Sequence, residues 1–209
     1  MTLAQYTSIP IEENDDKLVD LSKFDFILEL HYFKEGLSDT DKMYVREQVA
    51  KKLEKIQSKL GGFKFKIWDA YRPRKVQKNI YQSFWNKLKE KNSNWDENRL
   101  REEVGKFVSP TNVGGRIPPH ATGGAIDLTL VDSTGMELNM GTCFDYFGPE
   151  ASPDYKDLTT EILNNRKLLH DSMLVEDFTP DIDEWWHFDF GNQLWALRSG
   201  KEQAIYGEV

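Results

Sequence analysis

Apolar positions recur along this chain at two spacings, and the switches between them mark out its elements. Phe24-Asp25-Phe26-Ile27-Leu28-Glu29-Leu30-His31-Tyr32 alternates loosely, which predicts a strand. Ser38-Asp39-Thr40-Asp41 then offers N-cap oxygens. Val45, Val49, Leu53, Ile56 and Leu60 follow at helical spacing up to the stop at Gly61-Gly62, predicting one helix. Phe63 to Trp68 returns to period two, a half-buried strand. Pro73 suits the first position of a helix over 74–91 with Val76, Ile80, Phe84 and Leu88 on one face. Asn92-Ser93-Asn94 breaks it, and a shorter helix is expected over 96–107. After a Pro- and Gly-rich loop, Ala125 to Leu130 reads as a strand, and Gly141 marks a turn. Thr159 or Thr160 caps a helix to about Met173, and Glu184 to Phe190 is the last clear strand. Residues 1–22 are expected as an extended arm laid over the domain, and the segment from Gly191 as packing across it. No repeat or linker divides the chain, so residues 1–209 are expected to form one domain.

Composition narrows the function. With 209 residues, 39% hydrophobic and 12% aromatic, a true core is available. A net charge of -8 argues against a nucleic-acid partner, which needs a clustered basic surface. The single cysteine, Cys143, allows no intrachain disulfide and fits a reducing compartment. Met1 to Tyr6 carries no basic and apolar leader pattern, and no apolar run reaches the length of a membrane span. A cytoplasmic protein without a membrane partner is the expectation.

The chemistry centres on Pro118-Pro119-His120-Ala121-Thr122-Gly123-Gly124-Ala125-Ile126-Asp127. A carboxylate between Ile126 and Leu128 is costly to bury unless a cation or strong donors meet it. His120 stands ready as a second ligand for such a cation. Glu184-Trp185-Trp186-His187 supplies another imidazole and another acid. Two His and one Asp suit a catalytic zinc with an open position, and a spare Glu suits the base for its water. Each spacing alone is unspecific, and the helical His-Glu-x-x-His motif is absent. In a regular strand Glu184 and His187 point to opposite faces, so a bulge or strand start must fall between them. On chemistry alone a metal site and purely structural roles stand about even. Arg72, at a strand-to-helix junction, reads either as a cleft residue or as an ion pair with Asp69 that pins the turn. His31 and His170 are read as structural or surface residues.

Asp69-Ala70-Tyr71-Arg72-Pro73, His120 through Leu130, Met140-Gly141-Thr142 with Phe144-Asp145, and Glu184-Trp185-Trp186-His187-Phe188 occur in one order. That set resembles the zinc D-alanyl-D-alanine dipeptidases of the VanX type, within the zinc D,D-peptidases. The resemblance implies an α+β fold of the zinc D,D-peptidase (hedgehog-like) kind, with a central antiparallel sheet carrying the metal and helices around it. It implies one zinc per chain on His120, Asp127 and His187, with Glu184 as catalytic base. Arg72 would stabilise the developing oxyanion, and Asp145 and Tyr32 would contact a small peptide substrate. Two departures stand out. Pro118 occupies the place of a family Ser, and of the family's Tyr-Ala-Thr segment only Tyr32 has a counterpart. The substrate carboxylate then needs another partner, such as a backbone N–H, Arg116 or Thr111. Rival readings are a D,D- or L,D-carboxypeptidase on peptidoglycan peptides, an inactive zinc-binding module and a metal-free structural protein.

Overall fold

Strand β5, Ala125–Val131, is buried at every position, and the rest of the molecule is arranged around it. This computed structural model describes residues 3–105, 108, 116–146 and 148–209. A strand that is apolar on both faces apart from Asp127 and Thr129 suits cover on both sides. Two strands flank β5 antiparallel: β4, Lys64–Asp69, on one side and β7, His187–Asp189, on the other. The short β6, Thr179–Pro180, pairs antiparallel with β7, and β2, Ile27–Leu28, pairs parallel with β4. The sheet order is β2-β4-β5-β7-β6. The central strands β4, β5 and β7 are antiparallel, as expected, and the edge strand β2 adds one parallel pairing, so the sheet as a whole is mixed. The parallel edge arises because β2 reaches β4 through a crossover rather than a hairpin.

That crossover also corrects two sequence expectations. The stretch 24–32 is not one strand: a two-residue strand is followed by a single helical turn, α2, His31–Lys34. The expected helix from Ser38 to Leu60 starts late. Tyr44–Arg46 forms β3, paired antiparallel with β1, Leu18–Asp20, and only Glu47–Gln57 is helical, as α3. Val45 is buried either way, so its spacing could not tell strand from helix. The arm 1–22 is not wholly extended either, since Leu3–Thr7 forms α1.

The remaining helices match their spacing. α4, Arg74–Lys91, starts just after Pro73, and α5 is Glu97–Gly105. α6, Thr160–Leu174, is capped by the Thr159 hydroxyl, which accepts from Ile162 N. The terminal segment contributes α7, Gln193–Ser199, capped by Asn192. The main core joins Val49, Leu53 and Ile56 of α3 to sheet residues Phe65, Ile67, Leu128 and Leu130, and to Leu169 and Met173 of α6. Each such side chain contributes about 1.5–3 kcal/mol of burial. A smaller cluster, with Tyr32, Val76, Ile80 and Val104, lies between α2, α4 and α5. Among the described residues no helix is long and apolar enough to cross a membrane.

Candidate metal centre and active site

Strand parity sorts the sheet into an apolar face and a chemical one. Phe65 pairs with Leu130, Ile67 with Leu128 and Ile126 with Phe188, all in the core. Asp127, of opposite parity, pairs with His187 on one side and Asp69 on the other. The Asp69 pairing needs a bulge, because two steps along β4 from Ile67 to Asp69 match one step along β5 from Leu128 to Asp127. Trp68 is the extra residue, and the bulge re-aims Asp69 into line with Asp127 and His187. Glu184 lies ahead of the first residue of β7, so the strand start required by parity is present.

His120 comes from the other side, on a 3-10 turn, Pro119–Thr122, that begins after Pro118. Pro119 at its start forgoes an N–H that no turn carbonyl would accept. Gly123 ends the turn with φ +71°, a left-handed conformation open to glycine at little cost. Arg72 N donates to His120 O (3.0 Å), which ties the turn to the end of β4.

The ligand-type atoms of His120, Asp127 and His187 lie within 4.8 Å of one another, and all three residues are buried. His120 Nδ1–H donates to Ala70 O at 2.7 Å, leaving its Nε2 lone pair facing inward. His187 Nε2 meets Asp189 Oδ1 at 3.2 Å, so its Nδ1 faces the same point. The inward nitrogens stand 3.2 Å apart, and Asp127 Oδ1 is 2.9 Å from His187 Nδ1. Two imidazoles with their outer nitrogens engaged and a carboxylate converging with them form a donor set that fits a zinc ion. Burial alone would raise the Asp127 carboxyl, but the two imidazoles outweigh it and hold it well below the ordinary range. Burial likewise disfavours a charged His187, yet Asp189 and Asp127 outweigh it and hold that imidazole well above its ordinary value.

Around this group, Arg72 Nε donates to Asp69 Oδ2 (2.7 Å) and one terminal nitrogen to Gln77 Oε1 (2.8 Å). The other terminal nitrogen lies 3.7 Å from Asp127 Oδ2. Both sequence readings of Arg72 hold together: it pins the turn and it faces the site. Its guanidinium covers the Tyr32 ring at 4.8 Å. Tyr32 OH donates to Asp145 Oδ2 (3.0 Å). Asp145 has φ +55°, in the left-handed region that Asp visits more readily than most residues. Burial, then the charge of Asp127, pushes its carboxyl up to about 6. The loop carrying it is clipped by Arg166 of α6, which donates to the carbonyls of Met140, Glu150 and Ser152.

Glu184 Oε2 is 4.0 Å from His187 Nδ1, and its side chain keeps 32% of its surface open. The low-dielectric surroundings push its carboxyl up to about 8, with Asp127 and Asp181 adding to the effect and His187 opposing it. Tyr32, Arg72, Asp145 and Glu184 line, with the three ligand-type residues, one cavity of ≈ 530 Å³. Pro118 and Arg116 also line it, whereas Thr111 lies outside the described residues. His31 and His170 do not join the ligand group; they sit beside Glu35 and Asp171. Two residues that the sequence reading missed support the site, Asp189 and Arg166, while Asp69, read there as the partner of Arg72, also lies 3.3 Å from His120 Nδ1. For Asp189 the signal was present, a carboxylate between Phe188 and Phe190, as conspicuous as Asp127.

Comparison with known proteins follows this geometry. The family model for D-ala-D-ala dipeptidase (peptidase family M15) matches residues 33–204. A D-alanyl-D-alanine dipeptidase of Synechocystis sp. is 26% identical over 240 residues, covering 99% of this chain and 97% of its own. A D-alanyl-D-alanine dipeptidase of Escherichia coli K12 is 30% identical over 132 residues, covering 63% and 58%. Two solved structures share the fold, each with a TM-score of 0.50. One is a mutant of the vancomycin-resistance D,D-pentapeptidase VanY in complex with Zn(II), at 12% identity over 94% of this chain and 96% of that one. The other is VanYB in complex with D-alanine-D-alanine, at 13% identity over 86% and 87%.

Proposed function

The chain belongs to the D-Ala-D-Ala dipeptidase family of metallopeptidases, and on that premise we propose that it hydrolyses D-Ala-D-Ala or a closely related small dipeptide, with one zinc ion per chain. The observation that carries this reading is the convergence of His120 Nε2, His187 Nδ1 and Asp127 on one point, beside a second, partly open carboxylate. Zinc held there supplies a Lewis acid for the amide carbonyl and lowers the pKa of a water toward ~7.

The remaining work falls to side chains. Glu184 takes the proton of the attacking water on a carboxylate oxygen and returns it to the leaving amine nitrogen. A carboxyl lifted toward neutrality by burial suits both halves of that transfer. Arg72 stays charged, since Asp69 outweighs its burial, and it is held on two sides before the substrate arrives. Its second terminal nitrogen, shared with Asp69 Oδ2 (2.5 Å) and the Tyr32 hydroxyl (3.4 Å), faces the site. It can then meet the charge that grows on the carbonyl oxygen, where a preorganised cation is most effective. Asp145, half-buried and with the Tyr32 hydroxyl as a hydrogen-bond donor, suits the ammonium end of a dipeptide. Arg116 lines the same cavity, and its charge suits the carboxylate end that Pro118 cannot serve.

The test is a substrate panel with zinc-loaded protein: D-Ala-D-Ala, L-Ala-L-Ala, the mixed dipeptides and a wall pentapeptide. Cleavage of D-Ala-D-Ala supports the reading, and cleavage of the pentapeptide alone moves the protein to the carboxypeptidases. Glu184→Gln is expected to bind zinc normally and to lose about 10²- to 10⁴-fold in turnover. Normal turnover in that variant would remove Glu184 from the mechanism.

A further inference from the structure

Asp189 has no surface at all, and it lies two residues beyond His187 at the end of β7. A buried carboxylate is costly unless its oxygens are met by donors. Here they are met from three directions. Oδ1 accepts from His187 Nε2 (3.2 Å) and from Asn192 Nδ2 (2.6 Å). Oδ2 accepts from Arg198 (3.0 Å), whose other arm is held by Asp181 Oδ2 at 2.5 Å. Asn192 is itself fixed, because its side-chain oxygen caps α7 at Trp195 N. Arg198 lies on the same helix.

We infer that Asp189 is a positioning residue, held by Asn192 and Arg198, which commits His187 to present Nδ1 to the metal. The inference rests on the reading of His120, Asp127 and His187 as ligands. An imidazole has two nitrogens, and the one that coordinates is set by the hydrogen bond the other makes. His187 stands beside Asp127 in the sheet register, with Nδ1 toward Asp127 and Nε2 toward Asp189. A proton on Nδ1 would leave no lone pair for the metal and set the Nε2 lone pair against the Asp189 carboxylate. An acceptor-only carboxylate tied down by a guanidinium and an amide holds the proton on Nε2 instead. Helix α7 therefore serves the metal centre through Asp189.

The experiment uses the full chain with ¹⁵N-labelled histidine, loaded with ¹¹³Cd as a spectroscopic probe. Coupling of the metal to Nδ1 of His187, with a proton retained on Nε2, supports the inference. Coupling to Nε2 overturns it, without need of any variant. Zinc affinity, measured by chelator competition, is expected to fall about 10- to 100-fold in Asp189→Asn. Arg198→Lys, which keeps the charge but not the two-armed grip, is expected to fall between that variant and the wild type. A wild-type affinity in Asp189→Asn, with the same metal–nitrogen coupling, would overturn the positioning role and leave the proposed activity standing. A wild-type chain that binds no zinc would overturn both.

Discussion

Asp145 shows at the scale of one residue how the fold prepares for a charged ligand. Its carboxylate is half-buried within the field of Asp127, receives a hydroxyl donor from Tyr32, and sits on a left-handed backbone. Such a group gains most from an incoming ammonium, because charge-assisted bonds contribute about 1.5–3 kcal/mol. Asp145→Asn is accordingly expected to raise KM about 10- to 100-fold while kcat changes little, in steady-state kinetics on the best dipeptide. A loss confined to kcat would place Asp145 with the reacting atoms instead. At this scale the sequence was informative wherever polar chemistry interrupted an apolar run. Asp127, His187 and Glu184 stood out for that reason. Asp189 had the same signature, a carboxylate between Phe188 and Phe190, but nothing in the sequence tied it to His187 across two strand positions. Asp69 was legible as the partner of Arg72 but not as a neighbour of the ligand group, which depends on a bulge. Arg166 gave no sign, since its role depends on carbonyls supplied by a distant loop.

At the scale of elements, the approach of β5 to β7 sets the site, and Gly124 permits it. Phe190 N donates to Gly124 O at 2.7 Å, and a Cβ on Gly124 would overlap the Phe190 carbonyl oxygen. Backbone cannot step aside as a side chain can. Gly124→Ala is therefore expected to cost about 1–3 kcal/mol in denaturant unfolding and to weaken zinc binding as the β5–β7 register shifts. A second prediction concerns the contact of α3 with the end of α6. Lys55 Nζ lies 2.7 Å from Glu176 Oε1, and Lys52 Nζ donates to Glu176 O at 2.9 Å. The Lys55 hydrogen bond, against burial, holds the Glu176 carboxyl below its ordinary 4.5. Its stabilisation is then fully present above pH 4.5 and is lost as pH falls through the lowered value. Glu176→Gln should lower Tm at pH 7 by an amount equivalent to at most about 1 kcal/mol and leave it unchanged near pH 3. Equal losses at both pH values would mean that packing, not charge, is at stake. Long elements such as α4, α6, β4 and β5 were legible because many residues repeat one period. β2, α2 and β3 were not, because two to four residues carry no period and their partners are remote in sequence. The parallel edge of the sheet was hidden for the same reason.

Across the whole molecule, the turn that carries His120 is gripped by segments from both ends of the described chain. Arg46 Nε donates to Thr122 O (2.8 Å), while its guanidinium reaches Glu13 and the Gly207 carbonyl. Val209 N donates to Ala121 O (3.1 Å), and Ile11 bridges to Ala204. A ligand that binds only this assembled state adds stability by mass action, about 2.7 kcal/mol at a hundredfold excess over Kd. Zinc should thus raise Tm in the wild type and leave Asp127→Ala unmoved. The grip has a further consequence, in time rather than in space. The contacts of Gly207 with Arg46 and Glu13 span 161 and 194 positions, and closing such loops is paid in entropy before the contacts form. The His120 turn is then expected to lock after the rate-limiting step of folding, and interactions absent from that step slow unfolding and leave refolding untouched. In stopped-flow experiments zinc should depress the unfolding limb and spare the refolding limb. Acceleration of refolding by zinc would mean that the metal centre is already built at the barrier. If it is not, the metal acts as a latch on a finished fold, and the lifetime of the enzyme becomes a function of zinc supply.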